Sequence, residues 1–308
     1  MRNLRYLANL EIALALAGWA VGLWGVVRGE KIILQYLYFF AWYPLIAGLD
    51  GVLFRLRGQS WLLTQPRQFL QMLFWSVTVW LIFEALNLAL KNWGYVAMTP
   101  MGWVRWAGYV VAFATVLPGV LLTAQVLEAM GAWRNLKARP FNPGNWQPVS
   151  LLVGVALLIL PLLFPRYAFP LIWGAFFFLL DPFCWLLGGD SLMARFAAGE
   201  RREHVCLLAA GLICGLWWEA WNWFAISKWV YTLPVLNCWK VFEMPLPGFL
   251  GFPPFALEAA VMYNFLTALE ARVLTTPKRR RYSYVLQLAF WIMMFRAMDA
   301  WTVISFQK

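Results

Sequence analysis

The sequence predicts an all-α polytopic membrane protein with about nine transmembrane helices, built as two parallel four-helix repeats plus one C-terminal helix. Three observations carry that reading. Hydrophobic residues make up 63% of the 308-residue chain and charged residues 13%, against about 45–50% and about 25% in an average soluble domain. The apolar residues fall in runs of about 20, the length that crosses a bilayer core. Motifs of the first half recur, in the same order, in the second. This composition excludes disorder, a disulfide scaffold and a water-soluble core.

The runs place spans at roughly 10–27, 32–54, 69–90, 104–127, 149–165, 170–188, 204–226, 252–274 and 283–305. The first, behind Arg2 and Arg5, reads as a retained helix rather than a signal peptide. Its apolar stretch is longer than about 7–15 residues, and no clear small-x-small cleavage site follows that stretch before Arg28.

Charge gives sidedness. A net charge of +11 in a soluble chain would suggest nucleic acid. Here the basic residues lie between apolar runs, so no nucleic-acid partner is expected. With the N-terminus inside, 16 Lys and Arg fall on the cytoplasmic side, among them Arg2, Lys137 and the run Lys278–Arg281; eight, Lys308 included, fall outside, and Arg296 lies within the last span. The bias predicts a multi-pass protein of the inner (cytoplasmic) membrane, N-terminus cytoplasmic and C-terminus outside.

The repeat rests on matched motifs. Trp42, Asp50 and Ser60 recur as Trp173, Asp181 and Ser191, each at an offset of 131. Glu84-Ala85-Leu86-Asn87 recurs as Glu219-Ala220-Trp221-Asn222 at an offset of 135, and Trp93-Gly94-Tyr95 as Trp229-Val230-Tyr231 at 136. The drift falls near expected membrane surfaces, where length changes are tolerated. Residues 1–139 form the first repeat, 140–276 the second, and 277–308 the extra helix. Four spans return the chain to its starting side, so the repeats run parallel.

Ionisable groups in the spans cost roughly 2.5–3.5 kcal/mol each on insertion scales, so each needs a reason. Glu84 and Asn87 share a face of the third span, with Trp80 one turn earlier; Glu219 and Asn222 repeat the pattern on the seventh. There Gly211 and Gly215 add a seam that admits another backbone. Two readings stand open: a polar substrate site between the repeats, open outward, or a pair of interhelical clasps. Asp50 and Asp181, at the cytoplasmic ends of the second and sixth spans, are loop-fixing carboxylates or a second polar layer. Arg296 and Asp299 are three apart in the ninth span, placed for an intrahelical ion pair, or for Arg296 to neutralise a repeat Glu. Glu258, just after Pro253-Pro254, suits the first turn of the eighth span and the helix dipole, near Glu219. The candidate substrate-binding set is therefore Glu84, Asn87, Glu219, Asn222, Trp80, Glu258 and Arg296. The connection 228–252, rich in aromatics and proline, reads as an interfacial belt or a lid.

Other chemistry is poorly supplied. The single His204 excludes multi-His metal sites and bis-His haem. The four Cys form no CxxC, and no Gly-rich nucleotide loop occurs. No cofactor and no metal are expected. The expected function is binding or carrying a lipidic or aromatic amphiphile in an outward-facing polar and aromatic cavity between the repeats. The alternatives are a cofactor-free membrane enzyme acting on an isoprenoid or lipid by carboxylate acid–base chemistry, and a non-catalytic subunit of a membrane complex. The expected partners are a membrane lipid or hydrophobic small molecule, or a membrane-complex partner.

Overall fold

The computed structural model describes residues 2–136, 138–235 and 237–307; Lys137, Lys308 and the side chain of Arg2, counted in the charge pattern, lie outside the described residues. Ten long helices carry the fold: α1 (Arg2–Arg28), α2 (Leu37–Arg57), α3 (Pro66–Leu90), α4 (Gly102–Phe113), α5 (Val116–Ala129), α6 (Trp146–Leu163), α7 (Ala175–Leu186), α8 (Arg202–Phe224), α9 (Phe252–Arg272) and α10 (Pro277–Trp301). Among the described residues, eight helical segments are long and apolar enough to cross a membrane, α4 and α5 counting as one.

The predicted ninth span is α10, which does not belong to that apolar class. Lys278–Arg281 occupy its first turn, and Gln287, Arg296 and Asp299 interrupt the apolar residues that follow. Its contact with α3 combines aromatic packing of Phe74 on Tyr284 and Trp291 with polar bonds. Trp291 donates its indole N–H to Thr78 Oγ1 at 2.8 Å, and Thr78 donates to Gln287 Oε1 at 2.9 Å.

Two spans are interrupted, and in each a side chain from a neighbouring helix repairs the break. Buried backbone groups need partners, all the more so away from water. Between α4 and α5, Ser76 of α3 donates to Phe113 O at 2.6 Å and accepts from Leu117 N at 3.0 Å. The segment before α7 is a short turn at Pro165–Ala168 and a 3-10 helix at Phe169–Ile172. There Glu258 accepts the backbone N–H of Phe176 at 2.6 Å. This corrects the expectation for Glu258. It lies six residues inside α9, fully buried, and caps the N-terminus of α7 rather than that of its own helix.

The Gly211 and Gly215 seam of α8 receives the start of α9. A methyl at Gly211 would collide with Phe252 O, and one at Gly215 with the Phe252 ring. At the centre Trp42 is fully buried, packed on Trp218 with ring centroids 5.2 Å apart and against Gly119.

One end of the bundle is closed by strands. β1 (Trp93–Val96) follows α3 and β2 (Lys228–Tyr231) follows α8. They pair antiparallel, with Trp93 opposite Tyr231, Gly94 opposite Val230 and Tyr95 opposite Trp229. Residues 302–307 run parallel along the other edge of β1: Tyr95 N donates to Thr302 O (2.8 Å), Ile304 N to Tyr95 O (2.7 Å), Met98 N to Ser305 O (3.0 Å) and Gln307 N to Met98 O (2.8 Å). β1 is thus held on both edges. The opposite end carries Asp50, Asp181 and the ion pairs Arg57–Glu128 and Arg280–Glu270. The connection after β2 folds back as a small hairpin and the 3-10 helix Leu246–Gly251; Trp239 points out while Met244 and Phe249 are buried.

Candidate functional site

The matched residues make matching bonds. Asp50 Oδ2 accepts from Ser60 Oγ (2.6 Å), and its Oδ1 accepts the backbone N–H groups of Trp61 (2.8 Å) and Leu62 (3.0 Å). Asp181 accepts from Ser191 Oγ (2.7 Å), Leu192 N (2.8 Å) and Met193 N (3.0 Å). Each carboxylate is fully buried and sits at the start of the short helix that follows, Trp61–Thr64 or Leu192–Ala197, where a negative charge meets free N–H groups. Both oxygens of each are engaged within their own loop.

At the strand end the asparagines hold the turns from helix to strand. Asn87 accepts from Asn92 N and Trp93 N at 2.8 and 3.2 Å and donates to Trp93 O at 2.9 Å. Asn222 accepts from Trp229 N at 3.0 Å and donates to Trp229 O at 2.9 Å. One turn deeper, Glu84 Oε1 accepts from Trp80 Nε1 (3.0 Å), Trp93 Nε1 (3.0 Å) and the Tyr95 hydroxyl (2.5 Å). Glu219 Oε1 accepts from the Tyr231 hydroxyl at 2.6 Å, and that hydroxyl accepts from Trp229 Nε1 at 3.0 Å. The second oxygen of each glutamate is buried without a partner. Burial first, and the adjoining glutamate second, hold the Tyr95 and Tyr231 phenols protonated well above their usual range.

Between these two assemblies lies a cavity of about 260 Å³. Its walls are aromatic, with Trp80, Trp93 and Tyr95 from one side facing Trp229, Tyr231 and Phe255 from the other. Of the expected site residues, only Trp80 reaches the cavity surface. Glu84, Asn87, Glu219 and Asn222 stand behind the rings and fix them; Glu258 caps α7, and Asp50 and Asp181 lie at the far end. Arg296 is exposed.

Among the described residues, the charged groups of the lining are Arg105 and Lys228, and both are paired. Arg105 grips Asp299 through Nε (2.7 Å) and Nη2 (2.6 Å), while Trp106 and Tyr109 donate to the same carboxylate at 2.8 and 3.0 Å. Lys228 Nζ donates to Glu243 at 2.7 Å. The first of these pairs corrects the expected Arg296–Asp299 pair: Asp299 turns to α4, where a bidentate guanidinium satisfies both its oxygens. The sequence offered a signal for it, since Arg105, Trp106, Tyr109 and Phe113 share one face of α4. Among the described residues no group of three or more His, Cys, Asp or Glu is arranged to hold a metal ion. No protein-family model, no curated protein and no solved structure matches this chain.

Proposed function

We propose that this is an inner-membrane protein, N-terminus cytoplasmic and C-terminus outside, that binds or carries a lipidic or aromatic amphiphile in the cavity between two parallel four-helix repeats. The single observation that carries the reading is the cavity itself. A space of about 260 Å³ with aromatic walls and no unpaired charge, among the described residues, suits a neutral ring or branched chain. An engineered apolar cavity of about 150 Å³ already admits benzene.

The repeat, 1–139 and 140–276, is supported by the strand register. β1 and β2 pair so that Trp93 faces Tyr231 and Tyr95 faces Trp229. Those four residues are matched as Trp93 with Trp229 and Tyr95 with Tyr231, so the pairing exchanges equivalent positions about the Gly94–Val230 pair. A two-fold axis along the membrane normal, as parallel repeats require, would produce that exchange. Helix α10, within 277–308, would cross beside the first repeat, since it packs on α3 and delivers residues 302–307 to the strand end. The excess of Lys and Arg at the aspartate end supports a cytoplasmic assignment for that end.

Mass spectrometry of small molecules released from the purified protein tests the function. A near-stoichiometric neutral amphiphile, reduced in the Trp93→Ala, Trp229→Ala double variant, is the expected result. A ligand-free preparation that also takes up no apolar probe in a saturable manner would remove the binding role.

A second reading has one observation in its favour. Tyr95 and Tyr231 line the cavity, and each bonds a buried glutamate through its hydroxyl. A phenol so backed can pass a proton in acid–base catalysis of a lipid or isoprenoid. Turnover of the released amphiphile by the wild type, abolished in Tyr95→Phe and Tyr231→Phe, would select this reading.

A further inference from the structure

The cavity has a side opening. Among its described lining residues, three are exposed on the protein surface: Tyr36 just before α2, Phe39 in the first turn of α2, and Gly108 of α4. All three belong to the gap between α2 and α4. Toward the aspartate end the gap is shut, because the Tyr43 hydroxyl donates to Val111 O at 3.0 Å and ties the two helices together. Above that bond Phe39 is 52% exposed, and a Cβ added at Gly108 would meet no heavy atom within 4 Å.

The depth of the gap argues for lipid rather than water outside it. Gly108 lies six residues into α4, about 9 Å along the helix axis at about 1.5 Å per residue. Trp103, at the start of that helix, is 76% exposed, the placement of an interfacial anchor. The opening is therefore below the headgroup level, and its rim of Phe39, Val104 and Val111 is apolar. The strand end offers less room: β1 is gripped on both edges, and beyond β2 the lining residue Leu233 is half-buried beside the exposed Pro234.

We infer that the gap between α2 and α4 is a lateral portal, with Gly108 as its sill, through which a small neutral amphiphile dissolved in the bilayer passes directly into the cavity. Neutrality follows from the lining, where Arg105 and Lys228 are already spent on Asp299 and Glu243. A charged guest would find no free counter-charge and would lose its hydration for nothing. The inference rests on the amphiphile-binding reading of the same cavity.

The test uses the full chain in lipid nanodiscs and tritiated 2-naphthol, a neutral aromatic alcohol, followed by scintillation proximity. Three proteins are compared: wild type, Gly108→Trp to fill the sill, and Pro234→Trp, an exposed position outside the lining, to obstruct the strand end. Gly108→Trp is expected to slow saturable association by about tenfold or more, and Pro234→Trp to leave it within about twofold. Gly108→Leu, expected to give an intermediate slowing, stands in if the tryptophan variant fails to fold. Association at the wild-type rate in the Gly108 variants, or slowing in Pro234→Trp alone, overturns the portal while leaving the cavity as a binding site. No saturable binding to the wild type removes the cavity reading and the portal with it. Displacement of bound 2-naphthol by 2-naphthoate as readily as by unlabelled 2-naphthol contradicts the neutral-ligand assignment.

Discussion

The two matched regions, before and after residue 140, share a frame and differ in what fills it. In both, an aspartate ties down the loop after its helix, an asparagine sets the turn into a strand, and a tyrosine bonds a buried glutamate. The fillings diverge. Trp80 of α3 corresponds to Gly215 of α8, and the space that a second tryptophan would take holds the Phe252 ring. Trp42 stays in the core against Trp218, whereas its counterpart Trp173 stacks on Phe83 at 5.4 Å and lines the cavity. Tyr36 and Phe39 border an opening between α2 and α4. Their counterparts Tyr167 and Pro170 do not reach the cavity, and on that side Trp173 packs against Gly251. The bonds that set backbone geometry are alike, and the side chains that shape empty space are not. Matching bonds thereby frame one asymmetric cavity.

Breaking the asymmetry should have the largest effect. Gly215→Trp would give α8 the residue that α3 carries, but the start of α9 already occupies the space. We expect a loss of about 3 kcal/mol or more, or failure to fold, measured as the melting temperature in detergent. Normal stability would show that Phe252 yields easily and that the second half tolerates the first half's filling.

A smaller effect should separate the glutamates. Glu84 gathers three donors on one oxygen and Glu219 gathers one tyrosine hydroxyl, so removing Glu84 orphans more buried groups. Glu84→Leu should cost about 1–2 kcal/mol more than Glu219→Leu in thermal unfolding, at roughly 1 kcal/mol per hydrogen bond. Equal losses would mean that the tryptophan N–H groups find other acceptors.

The smallest expected difference sharpens the likeness. Asp50→Asn and Asp181→Asn each weaken the same three bonds, so each should lower stability by about 1 kcal/mol, and the two losses should agree within about 0.5 kcal/mol. A clear inequality would show that the two loops carry unequal load despite matching geometry.

Much of this frame was legible because it is copied and polar. Glu84, Asn87, Glu219 and Asn222 stood out as scarce acids and amides in apolar runs, and their bonds are local, reaching at most 12 residues along the chain. The Arg105–Asp299 pair was half legible: the shared face of α4 marks Arg105, but its partner is 194 residues away and a rule of helical spacing favours the nearer Arg296. The role of Glu258 was hidden for a related reason. Its partner is a backbone N–H, which no sequence marks, at a helix break set by the approach of another span. Nor was the cavity legible: Tyr38, Tyr109 and Phe113 look like ordinary core residues, and only three-dimensional packing leaves room between them. Part of the reduced hydropathy of α10 has the same origin, because Gln287 and Asp299 bond partners on neighbouring helices.

The double grip on β1 has a consequence for biosynthesis. When α3 and the strand after it have been inserted, neither partner of that strand has yet been synthesised. β2 lies some 135 residues downstream and the residue-302 segment some 200. For all that time Trp93 can lean on Asn87, but the backbone N–H and C=O groups of Gly94–Val96 must be satisfied by water, which the headgroup region supplies and the hydrocarbon does not. The strands sit at the end of the bundle, where a half-made chain can wait. Closure of the first half then becomes a late event, completed only when distant segments of the chain reach the same surface.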